Sequence, residues 1–68
     1  MTFQQKIIYV RKKFHMSQED LARELSVSFA TLHRWEKQGS KPSRLGLKAF
    51  EEFCDKRKIV FPIEVSRV

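Results

Sequence analysis

Serines at positions 17 and 28 limit how long any helix between them can be. Ser17 precedes Gln18, Glu19 and Asp20, which places an acceptor at a helix cap and acids in the first turn, where they complement the positive end of the helix dipole. Leu21, Ala22 and Leu25 supply the inward face of that helix. Ser26 and Val27 then form a turn, and Ser28 offers a fresh cap, so the helix after Ser17 is short. The next helix runs from about Phe29 to about Lys37, with Leu32 and Trp35 three apart on its buried side. Gln38, Gly39, Ser40, Lys41 and Pro42 end it.

The flanks are helical on one side and mixed on the other. Phe3, Ile7, Val10 and Phe14 recur at spacings that put them on one helix face, with Lys6, Lys12 and Lys13 off it and Thr2 as cap. Ser43 caps a fourth helix whose apolar stripe is Leu47, Phe50 and Cys54, with Phe53 alongside. Gly46 weakens this helix locally unless another backbone packs closely there. From Ile59 the period changes to two, with Ile59, Phe61, Ile63 and Val65 alternating with Val60, Pro62, Glu64 and Ser66. This is a strand pattern with a proline at an edge position. A lone strand is unstable, so residues 59–68 pair with a second copy, pack as an extended arm, or stay disordered. The chain divides into a helical unit, residues 1–58, and an extended tail, residues 59–68, which pairing with a second copy would make a dimerisation arm.

A chain of 68 residues makes one small domain with a modest core, which excludes most enzymes with large pockets. No apolar run approaches the roughly 18 to 20 residues of a membrane helix, and MTFQQKIIYVRKKF reads as no signal peptide. Cys54 is the only cysteine and demands no oxidising compartment, which leaves the cytoplasm as the expected location. Lys and Arg number 14 against 8 Asp and Glu, a net charge of +6 that favours an anionic partner, nucleic acid first. Single-stranded RNA would ask for exposed stacking aromatics, and most aromatics here lie on buried stripes. Cys54 and the scattered His15 and His33 form no arguable nucleophile and base pair, and there is no glycine-rich phosphate loop. We therefore expect no enzyme, no cofactor and no metal site, with His33 facing phosphate or solvent.

Two short helices joined by a tight turn, the second turning polar residues outward, are the elements of a helix-turn-helix. The run SQEDLARELSVSFATLHRWEKQGSKPS resembles the DNA-binding domain of the Cro and phage-repressor (Xre-type) helix-turn-helix family. Ser17-Gln18 with Asp20, Leu21 and Ala22, then Val27-Ser28, Trp35-Glu36 and Lys41-Pro42 recur in register, over about Ile7 to Phe53. The resemblance implies an all-α, lambda-repressor-like domain of four to five helices, to which the alternation after Ile59 would add an extended C-terminal strand or arm. Two positions depart from the family. Ser26 stands where the turn usually has glycine, a position that often needs a left-handed backbone. Phe29 stands where a polar, base-reading side chain is frequent.

About 100° per residue along the third helix, with Leu32 and Trp35 inward, turns Ala30, His33, Arg34 and Lys37 outward, with Phe29 and Thr31 on the flanks. Phe29, Ala30, Thr31, His33 and Arg34 are the candidate base contacts. Arg34 leads, because its planar fork can bridge guanine O6 and N7. Phe29 and Ala30 offer an apolar surface to thymine methyl groups, and packing against neighbouring helices is the other reading of Phe29. Residues 37–48 contain Lys37, Lys41, Arg44 and Lys48 and no acid, so phosphate contacts are assigned to Lys37, Ser40, Lys41 and Arg44. The resemblance adds Gln18 and Ser28, at helix N-termini whose free amides attract anions. It also pairs Arg11 with Glu36 in a structural ion pair between the first helix and the end of the third. The expected function is sequence-specific double-stranded DNA binding by a homodimeric transcriptional regulator, a repressor. The alternative is an antitoxin-like or adaptor protein whose tail binds a protein partner while the helix-turn-helix autoregulates.

Overall fold

The computed structural model describes residues 1–62, and within them the chain folds as four helices: α1 Phe3–Phe14, α2 Gln18–Leu25, α3 Phe29–Lys37 and α4 Arg44–Lys56. Each begins at a hydroxyl cap. Thr2, Ser17, Ser28 and Ser43 accept from the backbone N–H of Gln5, Asp20, Thr31 and Gly46, respectively, so one side chain satisfies one orphan donor at each start. Gln5 and Asp20 return the bond to the cap backbone, completing a capping box. Hydrogen bonding of the Asp20 carboxyl with the Ser17 backbone N–H first, and with the Ser17 side chain second, holds it below its ordinary value.

Three of the helices end in the same way. His15, Ser26 and Lys58 have φ of 54°, 57° and 55°, and the next residue's N–H reaches back to a carbonyl of the last turn: Met16 to Arg11, Val27 to Ala22, and Ile59 to Cys54. This is the Schellman arrangement, and the apolar residue after each left-handed position packs on the core. Ser26 therefore adopts the left-handed turn without a glycine. Ser26→Gly should remove a steric cost of about 1 kcal/mol and raise the Tm by about 4 °C in a thermal melt.

The core is Ile7 and Val10 of α1, Leu21, Ala22 and Leu25 of α2, Leu32 and Trp35 of α3, and Phe50, Phe53 and Cys54 of α4. Phe3 joins the layers edge-on, with ring centroids 5.2 Å from both Trp35 and Phe50. Leu47 departs from the expected stripe. It is 40 % exposed, because the stripe of α4 is covered only along Phe50, Phe53 and Cys54. Gly46 is buried against a side chain rather than another backbone: a Cβ there would lie 2.8 Å from Trp35 Cζ2 and 2.9 Å from its Cη2. Gly46→Ala should gain about 1 kcal/mol of helix propensity and lose about 1 to 3 kcal/mol to overpacking, since Phe3 holds the indole in place. Calorimetry should accordingly record a lower Tm.

The tail is not a strand over Ile59–Pro62. Its period of two is nonetheless realised there. Ile59 and Phe61 turn onto the core while Val60 is 79 % exposed, and Phe61 lies 5.4 Å from the Tyr9 ring of α1 and 6.3 Å from the Phe50 ring of α4. The backbone edge finds no strand partner among the described residues, and side-chain docking takes its place. The rest of the alternation, residues 63–68, lies outside the described residues.

Candidate nucleic-acid interface

α3 is amphipathic in the simplest way. Leu32 and Trp35 are buried, while Ala30, His33, Arg34 and Lys37 are exposed and Thr31 is half-buried. Phe29 is 50 % exposed, so packing against neighbouring helices does not account for it; its ring stacks instead on His33, 5.8 Å between centroids. Ser28 is exposed, and its hydroxyl is engaged in both directions, accepting from Thr31 N–H and donating to Thr31 Oγ1 at 2.8 Å.

The charge of this face is set by one burial. Between Leu25 and Glu51 the sequence holds a single acid, Glu36, and Glu36 is 6 % exposed. Arg11 Nη1 donates to both of its carboxylate oxygens, at 2.7 and 2.6 Å, and Arg11 Nε donates to the Met16 carbonyl. Gln18 Nε2 adds a third hydrogen bond to the carboxylate, at 2.9 Å. His33, Arg34, Lys37, Lys41, Arg44 and Lys48 meanwhile are all exposed. The surface from α3 to the start of α4 therefore presents bases with no exposed acid among them.

The phosphate candidates are brought to the two ends of α3. Ser28 and Thr31 share a shallow groove with Val27, Ser43 and Leu45, which sets the N-terminus of α4, and so Arg44, beside the N-terminus of α3. At the other end, Ser40 is half-buried and its N–H donates to the Arg34 carbonyl, tying the Lys41 loop to α3. Gln18 is half-buried, and its side chain is held by Glu36 on one side and His33 on the other.

Gln4 is a residue that sequence reasoning missed. Its Nε2 donates to the Glu36 carbonyl at 2.6 Å, across 32 residues, and its side chain lies against Gly39, whose φ of 66° starts the basic loop. No local pattern reveals such a bond. Gln4→Ala should remove about 1 kcal/mol and lower the Tm by about 4 to 8 °C. Hydrogen exchange at the Ser40 amide should accelerate in the same variant.

His15, His33 and Cys54 do not converge, and no group of three or more His, Cys, Asp or Glu that could hold a metal comes together among the described residues. The Cys54 thiol is pushed up to about 11, first by burial and then by the charge of Asp55, so it is protonated at neutral pH. No described helix is long and apolar enough to cross a membrane.

A helix-turn-helix family profile matches residues 7–59. The chain belongs to the Xre-type helix-turn-helix family. α2, the Ser26 turn and α3 are its helix-turn-helix, and the chain is a DNA-binding domain of that regulatory family. No curated protein and no solved structure matches the chain. Gln4 lies before the segment that matches the family, and Ile59 is the last residue within it.

Proposed function

We propose that this protein is a transcriptional repressor that binds a specific double-stranded DNA site in the cytoplasm as a homodimer. α3 enters the major groove, where Arg34, Phe29, Ala30, Thr31 and His33 contact bases. Gln18, Ser28, Lys37, Ser40, Lys41 and Arg44 fix the register on phosphates. Arg11 and Glu36 hold α3 against α1 and keep the one acid of the region out of the groove. The observation that carries this reading is the run of exposed bases from α3 to the start of α4, with no exposed acid in that segment, together with the burial of Glu36. A helix of two and a half turns covers few base pairs, so specificity asks for two copies on half-sites about 34 Å apart. The C-terminal tail, or α4, supplies the contact between copies.

Selection from a randomised duplex pool at physiological salt tests this, because non-specific phosphate binding is weak there. Enrichment of a two-fold symmetric site with half-sites one turn apart is expected. Retention of DNA only at low salt, with no enriched sequence, would overturn it and point instead to an adaptor or antitoxin whose tail docks a protein.

A further inference from the structure

Phe29 is the one exposed phenylalanine of six: Phe50 and Phe53 are buried, and Phe3, Phe14 and Phe61 are half-buried. An exposed phenyl ring gains nothing from water, and this one has a neighbour to stack on. It sits in the first turn of α3 and stacks on His33, its i+4 neighbour, with 29° between the planes. His33 has a polar partner of its own. Gln18 turns its Nε2 to the Glu36 carboxylate, which can only accept, so Gln18 Oε1 faces His33, where Nδ1 meets it at 3.3 Å. Arg11 anchors the far end of this chain on Glu36. A continuous series of bonds, Arg11 to Glu36 to Gln18 to His33, thus runs from the core to the outer face of α3 and ends under an aromatic ring.

We infer that Phe29, backed by His33, reads the C5-methyl group of a pyrimidine in the major groove, accepting thymine or 5-methylcytosine and disfavouring uracil or cytosine. The inference rests on the proposal that α3 is the base-contacting helix. A phenyl ring can neither donate to nor accept from a base edge, and the apolar group the major groove offers is the C5-methyl. Because the stack is made before DNA arrives, little side-chain freedom is lost on contact. His33 and Gln18 are positioning residues in this scheme, and Phe29 makes the contact.

The test uses the full chain and a duplex recovered by selection. Each thymine is replaced in turn by deoxyuridine, which removes only the methyl group, and cytosine and 5-methylcytosine are then compared at the sensitive position. Uracil should weaken binding about fourfold at one position per half-site, as expected for one buried methyl, and 5-methylcytosine should bind more tightly than cytosine there by a similar factor. Phe29→Ala should melt like the wild type and bind the thymine and uracil duplexes equally. Uracil that is neutral at every thymine, a selected half-site without thymine, or a thymine preference that survives in Phe29→Ala overturns the inference. If Arg34→Ala also leaves preference for the selected duplex over a scrambled one unchanged, α3 is not the reading helix and both readings fall. If Arg34→Ala abolishes that preference while uracil is neutral, only methyl reading falls.

Discussion

Arg11→Met is expected to destabilise the domain by about 3 to 5 kcal/mol, the range for removing one partner of a buried ion pair. For a chain of this size, that corresponds to a Tm lowered by at least about 12 °C. The two partners are not equivalent. Glu36 is 6 % exposed and Arg11 is 25 % exposed, so loss of the guanidinium strands a carboxylate that water cannot reach. Loss of the carboxylate leaves a guanidinium that can turn toward solvent. Glu36→Ala should therefore weaken folding more than a surface mutation, yet less than Arg11→Met. The paired replacement of Arg11 and Glu36 by methionine should regain much of the loss, because neither charge is then buried alone. Thermal melts of the four proteins decide this, and an Arg11→Met midpoint within a few degrees of wild type contradicts it.

Arg34→Ala and Lys41→Ala should separate base reading from phosphate binding. Removal of Arg34 is expected to reduce affinity for the selected site by about 1 to 3 kcal/mol, to leave random-sequence DNA almost unaffected, and to relax selection at one position. Lys41→Ala should weaken both duplexes alike and reduce the slope of log affinity against log salt by about 1. Titrations at several salt concentrations measure both quantities. The two side chains lie on different elements, Arg34 on the exposed face of α3 and Lys41 in the loop tied to it through Ser40, so neither change should disturb the other.

The start of every helix was legible because a cap is a local signal: Thr2, Ser17, Ser28 and Ser43 each act on an amide three residues away. The turn at Ser26 was legible for the same reason, while its left-handed backbone was expected only from the family resemblance. What depends on a neighbouring element was not legible. The spacing of Leu47 marks a helix face but not how far the covering surface extends, and Gly46 gave no sign that an indole, rather than a backbone, would lie over it. The alternation after Ile59 was visible; the Tyr9 and Phe50 rings that receive Phe61 were not. At the site, the excess of bases could be counted directly, whereas the removal of the one acid from the surface is tertiary. The pairing of Arg11 with Glu36 came from the family resemblance, and the Gln4 tether and the stacking of Phe29 on His33 came only from the folded chain.

The central claim is that the outer face of α3 meets DNA. Backbone amide shifts of the isotope-labelled protein, followed as a selected duplex is added, test it most directly. The largest changes are predicted at residues 28–34 and 40–44, with little change at Tyr9 and Phe61 on the arm side. Changes concentrated around Tyr9 and Phe61, with residues 28–34 unmoved, would contradict it.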